Sequence, residues 1–130
     1  MAKDKLKILI IPTWYPMPED SMGGIYHRQQ GEALAEREDA EVYILFMERR
    51  RLQKPFAYLQ MPKTVVEQDG NMTVFRRRIL NLETLQYDMY LKSYCRGLFK
   101  AYADFEKQYG KPDVIQAHVS LPAGYAAVLL

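Results

Sequence analysis

Apolar residues are concentrated in three short runs along the chain. The runs are LKILII at residues 6–11, EVYILFM at 41–47 and PDVIQAH at 112–118. They are rich in Ile, Leu and Val and do not alternate regularly with polar residues, which is typical of strands buried on both faces of a parallel sheet. The pattern therefore predicts three parallel strands.

Helical spacing of apolar residues fills two of the intervals. Residues 24–38 carry apolar side chains among polar ones, which predicts an amphipathic helix that begins near Gly24. Residues 83–109 predict one long helix, or two helices broken near Gly97. Gly110 is followed closely by a proline, a combination that ends helices.

The remaining segments predict a hairpin and a last helix. Residues 64–80 read as two short strands around Asp69-Gly70-Asn71, because Asp-Gly is a strong turn signal between strands. A further helix begins within residues 120–130. The resulting order, with a helix between the first two parallel strands, predicts an α/β fold built on a right-handed βαβ unit. Because the chain stops at Leu130 inside an apolar run, we expect residues 1–130 to be the first part of a larger α/β domain.

Composition narrows the class of protein. The net charge is +2 over 130 residues, which is too small to indicate nucleic-acid binding. The arginine runs at 49–51 and 76–78 are interpreted as solvated faces; on a strand, Arg76 and Arg78 share one face and Arg77 takes the other. Cys95 is the single cysteine and is interpreted as a buried apolar filler. With no secretory signal and no apolar run of about 18 residues, we expect a soluble cytoplasmic protein.

The loop at residues 12–24 is unusually long for a connection from a strand to its helix, which normally takes about 2–6 residues. Ligands of open α/β sheets bind at the carboxyl ends of the strands, where the strand order reverses. A second polar loop, His118-Val119-Ser120, also follows a predicted strand. If the first strand lies between the second and the last, the two loops face one crevice.

Each candidate residue has two interpretations at this point. Gly23 and Gly24 either let backbone N–H groups approach a phosphate or only allow a tight entry into the helix. His118 either acts on a substrate or is a core histidine. His27 is expected on a solvated face, although the first turn of its helix can reach the crevice. Glu48 is interpreted as a solvated strand end, and no spacing of His, Cys or Asp indicates a metal site.

Both ends of the chain resemble one enzyme family. The segment ILIIPTWYP, followed by GGIYHRQQGEALAER and the strand EVYIL, resembles the N-terminus of retaining glycosyltransferases of the GT-B, group 1 (family 4) type. The segment KPDVIQAHVSLPAGYAAVLL resembles a later part of the same family's N-terminal domain. The resemblance implies a Rossmann-like three-layer domain with a mostly parallel sheet and a β-hairpin insertion, incomplete at its C-terminus.

The resemblance also implies roles for particular residues. Gly23 and Gly24 would approach the diphosphate of a nucleotide-sugar donor, and His118 would act catalytically near the transferred sugar. The residues expected on the side of the glycan or lipid-linked acceptor are Trp14, Tyr15, Tyr26, His27 and Ser120. No metal and no cofactor are expected. A second domain with a Glu-x7-Glu pair would hold the donor, so residues 1–130 alone are expected to be inactive.

Two functional hypotheses remain open from the sequence. The first is the N-terminal, acceptor-side part of a glycosyltransferase of surface polysaccharide synthesis, peripheral to a membrane and able to self-associate through an exposed C-terminal helix. The second is a non-catalytic Rossmann-like module that binds a nucleotide or a protein partner unaided. Neither hypothesis involves nucleic acid.

Overall fold

The apolar runs form the centre of a five-stranded sheet in a computed structural model that describes residues 5–17, 21–50, 64–80 and 87–130. The strands are β1 (Leu6–Pro12), β2 (Ala40–Arg50), β3 (Thr64–Asp69), β4 (Met72–Leu80) and β5 (Val114–His118). The helices are α1 (Ile25–Ala35), α2 (Tyr87–Tyr109) and the short α3 (Tyr125–Val128). Strands and helices occur in the order that the pattern predicted.

The strand order is β3-β4-β2-β1-β5, and every neighbouring pair is parallel except β3 with β4. The predicted hairpin is confirmed, and its second strand continues the main sheet by pairing with β2. Strand β1 lies between β2 and β5, as the crevice hypothesis requires. In this register Pro12 is opposite His118, so the carboxyl ends of β1 and β5 are neighbours.

Helices cover both faces of the sheet, which gives a three-layer, Rossmann-like α/β domain. On one face, α1 lies over Ile10 and Ile44; Gly31 faces these side chains and is itself buried. On the other face, α2 and α3 pack against alternate residues of the same strands, including Leu9 and Leu45. Because both faces are covered, strands β1 and β2 are apolar at nearly every position.

Helix α2 is continuous through Gly97. A Cβ at this position would lie 2.8 Å from Cγ2 of Ile79, so the glycine allows the helix to approach β4 closely. The helix ends at Tyr109, and the following Gly110 has a φ of 83° and donates its N–H to the carbonyl of Glu106 at 2.7 Å. Glycine is the residue that adopts this left-handed conformation at helix ends without steric cost.

Two interpretations of charged residues are wrong. Glu48 is buried rather than solvated, and it lies beside Arg78 of β4, which is also buried. Arg76 is not a solvated residue either, since its guanidinium lies over the ring of Tyr15 at 5.2 Å. The expected alternation holds, because Arg77 lies on the opposite face, near Gly97. The side chains of the run at 49–51 lie outside the described residues.

Strand β5 forms one edge of the sheet, and its first residues, Val114 and Ile115, are exposed. The strand itself is confirmed, but the prediction that it is buried on both faces is wrong, because an edge strand lacks a neighbour on one side and little of the protein covers it. Cys95 is buried in α2, as expected, and burial raises the pKa of its thiol. In the part of the chain that the structure describes, no helix combines the length and the apolar character that crossing a membrane requires.

Candidate functional site

The candidate site lies where the carboxyl ends of β1 and β5 meet. The hydroxyl of Thr13, directly after β1, donates a hydrogen bond to the carbonyl of His118 at 3.0 Å. At the opposite end of the same two strands, Lys7 and Asp113 exchange two hydrogen bonds of 2.8 Å, one of them through the Asp113 carboxylate. Hydrogen bonds at both ends of β5 therefore fix the position of His118 relative to the loop that follows β1.

Gly24 brings the start of α1 against the first loop. Its φ is 71°, and a Cβ at this position would lie 2.2 Å from the carbonyl oxygen of Trp14. Its carbonyl accepts the N–H groups of His27 at 3.0 Å and Arg28 at 3.2 Å, so the helix begins directly from it. The glycine is required by conformation and by close approach. That requirement leaves open whether the half-buried backbone of Gly23 and Gly24 also meets a ligand.

The two histidines of the chain meet in the crevice. His27 projects from the first turn of α1 and His118 ends β5, and their ring centroids are 4.3 Å apart with the planes tilted by 50°. Both rings are half-buried, and Nε2 of His118 is buried without a hydrogen-bond partner among the described residues. The crevice therefore holds a buried imidazole nitrogen whose hydrogen-bonding capacity is not used by the described residues.

The environment of the two rings favours their neutral form. Burial lowers the pKa of His27 below its ordinary value of 6.5. Burial also lowers the pKa of His118, and the proximity of His27 lowers it further. The guanidinium of the adjacent Arg28 forms ion pairs with Asp69 and Glu32. Two neutral imidazoles can donate and accept hydrogen bonds at near-neutral pH.

Apolar and aromatic side chains are exposed on the elements that form the crevice. Trp14 of the loop is 46% exposed and Tyr26 at the start of α1 is 77% exposed. Val119 and Leu121, which follow His118, are also exposed, and Val119 has a φ of 78°. A β-branched residue with positive φ is unusual and marks backbone strain directly after the histidine.

The structure does not bring every candidate residue to the crevice. Tyr15 is only 2% exposed, and its ring packs in the core below α1, 6.0 Å from the ring of Phe46. Its hydroxyl donates a hydrogen bond to the carboxylate of Asp69, and burial together with this bond raises its pKa. A side chain in that position does not line an open crevice. The side chain of Ser120 lies outside the described residues.

A charged cluster that the sequence did not suggest lies next to the site. Asp69 accepts two hydrogen bonds from Arg28, at 2.8 and 2.9 Å, in addition to that from Tyr15. Arg76 covers Tyr15 and donates to the carbonyl of Pro16 at 2.9 Å. The Asp-Gly pair indicated only a turn. No sequence signal links Asp69 with an arginine of α1, because their contact depends on the strand order.

Two cavities lie away from the crevice. One of about 530 Å³ lies at the amino ends of β1 and β2, beside the turn of the hairpin, and is lined by polar groups that include Lys5, Gln68 and Asn71. A smaller one of about 230 Å³ lies between α2 and α3, against Cys95 and Tyr125. Neither contains a histidine. The crevice between β1 and β5 is therefore the place where the imidazoles, the start of α1 and the exposed aromatics coincide.

Within the described ranges, no group of three or more His, Cys, Asp or Glu side chains is arranged to hold a metal ion. The chain matches no protein-family model, and no curated protein is significantly similar to it in sequence. The functional assignment therefore depends on the crevice itself and on the resemblance of the two segments that form it.

Proposed function

We propose that the chain is the N-terminal, acceptor-side part of a retaining GT-B glycosyltransferase. The complete enzyme would transfer a sugar from a nucleotide-sugar to a glycan or lipid-linked acceptor in surface polysaccharide synthesis. It would work in the cytoplasm, at the periphery of a membrane. A second α/β domain with a Glu-x7-Glu pair would hold most of the donor, as the resemblance implies.

One observation carries the proposal: the contact between His27 and His118 at 4.3 Å. The two segments that resemble the glycosyltransferases are far apart in sequence, and each follows a different strand. In the fold they meet at the point where the strand order reverses, which is where open α/β sheets bind ligands. This proximity supports the proposal, because residues that act on one substrate must lie close together.

The chemistry of the crevice suits a sugar diphosphate. The start of an α-helix favours an anion through the positive end of the helix dipole and through N–H groups that have no acceptor. In α1 the N–H groups of Ile25 and His27 already donate to the carbonyls of Met22 and Gly24, so only the remaining donors could meet a ligand. The half-buried backbone at Gly23 and Gly24 gives a diphosphate access to the start of α1. Such donors stabilise the negative charge that develops on the leaving diphosphate. A neutral His118 can accept or donate a hydrogen bond to a sugar hydroxyl.

The test uses the two histidines as reporters. Because the chain contains only two, its imidazole region in a ¹H–¹³C NMR spectrum has two sets of ring signals, which His27→Gln assigns. Uridine, guanosine and adenosine diphosphates and inorganic pyrophosphate are titrated separately. We expect at least one nucleoside diphosphate to shift both sets of ring signals with a millimolar Kd, about −4 kcal/mol, since much of the donor site would lie in the second domain.

One variant and two titration outcomes decide between the hypotheses. In the complete enzyme, His118→Ala should lower turnover far more than it lowers the melting temperature, because the role proposed for its ring is on the transferred sugar. If no diphosphate moves either histidine at millimolar concentration, the proposed function is wrong. Micromolar binding by a monomer would instead favour a self-sufficient nucleotide-binding module, the second hypothesis.

A further inference from the structure

The carboxylate of Asp69 connects the β3–β4 hairpin to the two elements that flank the crevice. Asp69, the last residue of β3, accepts both guanidinium N–H bonds from Arg28 on α1 and the hydroxyl bond from Tyr15 in the loop before α1. A carboxylate held by a bidentate arginine is a strong and directional contact. One side chain of the hairpin therefore holds both the loop and the helix that flank Gly24.

The position of Arg28 makes this contact relevant to the crevice. Arg28 follows His27 directly, and successive residues of an α-helix are rotated by about 100° around its axis. Fixing the Arg28 side chain on Asp69 therefore fixes the rotation of the first helical turn, and with it the direction of His27. The close approach of Gly24 to Trp14 holds the start of the same helix against the loop.

A second arginine stabilises the same arrangement from the sheet. The guanidinium of Arg76 lies 5.2 Å from the ring centroid of Tyr15 and 5.8 Å from that of Phe46. It also donates a hydrogen bond to the carbonyl of Pro16 and forms an ion pair with Glu67. The Tyr15 ring is thus enclosed between the core and a cation, and its hydroxyl stays directed at Asp69.

Asp69 and Arg28 each stabilise the charged form of the other. The hydrogen bonds from Arg28 hold the pKa of Asp69 below its ordinary value, and the bond to Asp69 raises the pKa of Arg28. Asp69 therefore remains a carboxylate throughout the neutral range. Arg28 also contacts Glu32 one turn along the helix at 2.9 Å, which keeps its guanidinium over the hairpin side of α1.

We propose that Asp69 is a positioning residue for the crevice, which holds Arg28 and Tyr15 so that α1 presents His27 against His118. The inference adds to the proposed function a residue that touches no substrate, and it extends the site to the β3–β4 hairpin. It rests on the proposed function only for the importance of His27. The arrangement itself can be tested without any ligand.

The experiment measures the histidine ring signals of the chain with the substitution Asp69→Asn, in the absence of nucleotide. Loss of the charge weakens both bonds from Arg28. We expect the ring signals of His27 and His118 to move, and the pKa of His27 to rise towards 6.5 as its ring becomes more exposed. Asp39→Asn is the matched control, because Asp39 accepts the same two-bond contact from Arg37 at an exposed site. It should leave both histidines unchanged.

Milder variants keep the test decisive if Asp69→Asn does not fold. Arg28→Lys keeps the positive charge but cannot make the two-bond contact, and Tyr15→Phe removes one donor. Each should shift the His27 signals, Arg28→Lys more than Tyr15→Phe. A folded Asp69 or Arg28 variant whose histidine signals and titration match those of the unsubstituted chain would overturn the inference. Since no nucleotide is present, that failure is distinct from a failure of diphosphate binding.

Discussion

The imidazole rings of His27 and His118 lie against each other, 4.3 Å apart between centroids, at the carboxyl edge of the sheet. One ring is carried by α1 and the other by β5, so the contact joins the two sides of the crevice. Both rings are half-buried in an environment that disfavours their charged form. Protonation of either ring should therefore destabilise this contact.

The first prediction concerns stability between about pH 7 and pH 5. Both histidines have a pKa below the ordinary value of 6.5 in the folded chain, so in this interval the unfolded chain binds more protons. The unfolding free energy should then rise with pH through this window and fall as the pH is lowered through it. Urea denaturation at a series of pH values measures the slope.

The control for this prediction is His27→Gln, which removes one titrating ring and relieves the other of a neighbouring charge. It should reduce the slope between pH 7 and pH 5. Below about pH 4 a second loss of stability is expected from Asp69, whose pKa is lowered, and this loss should persist in His27→Gln. If the unfolding free energy of the two proteins has the same pH dependence above pH 5, the histidines are not its cause.

The second prediction compares two glycines that both have positive φ. Gly24→Ala places a Cβ against the carbonyl oxygen of Trp14, whereas a Cβ at Gly70 would have no neighbour within 4 Å. Gly70→Ala should cost only the strain of the left-handed conformation, about 1–2 kcal/mol. Gly24→Ala should cost more, because the loop must also move. Urea denaturation of both variants gives the difference in their unfolding free energies. This difference measures the cost of the contact between the new Cβ at position 24 and Trp14.

The third prediction concerns the hydroxyl of Tyr15, which is buried and bonded to a carboxylate. Hydrogen bonds to charged groups contribute about 1.5–3 kcal/mol, so Tyr15→Phe should lower the unfolding free energy by an amount in this range. Tyr43→Phe is the matched control, because the Tyr43 hydroxyl bonds to the exposed Glu41 at 3.1 Å. It should lower stability by less than half as much. Similar decreases in unfolding free energy for the two variants would show that the bond to Asp69 contributes no more than the bond to Glu41.

Local patterns predicted the strands, the hairpin and the approximate positions of the helices. The apolar runs predicted β1 and β2 because these strands are buried on both faces, and they predicted β5 although this edge strand is largely exposed. The Asp69-Gly70-Asn71 turn marked the hairpin. The placement of the crevice also followed, because the expected order put β1 between β2 and the last strand. These features depend on short stretches of sequence or on general topological rules.

Features that depend on pairing between distant segments could not be predicted. The neighbours Trp14 and Tyr15 were expected to act together, yet one is exposed and the other is buried against Asp69. Glu48 and Arg78 were interpreted as solvated because charge favours the surface, whereas the register places them side by side and buried. In each case the partner is supplied by the strand order, which no local pattern contains.

The last prediction concerns self-association. Val128 of α3 is 86% exposed, and Leu129 and Tyr125 beside it are also exposed, as are Val114 and Ile115 on the edge strand. Exposed apolar side chains on one short helix favour association, so the weight-average mass of the chain in sedimentation equilibrium should increase with concentration. Val128→Lys should weaken this dependence without lowering the melting temperature, because its side chain makes few contacts.

Met22→Lys is the matched control for that experiment. Met22 is 70% exposed but lies in the loop before α1, on a different element from α3. The substitution Met22→Lys adds the same charge as Val128→Lys and removes an apolar side chain of similar exposure. General electrostatic repulsion therefore affects both variants alike. Association through α3 requires that Val128→Lys have the larger effect. An unsubstituted chain that is monomeric at all concentrations, or equal effects of the two variants, would contradict it.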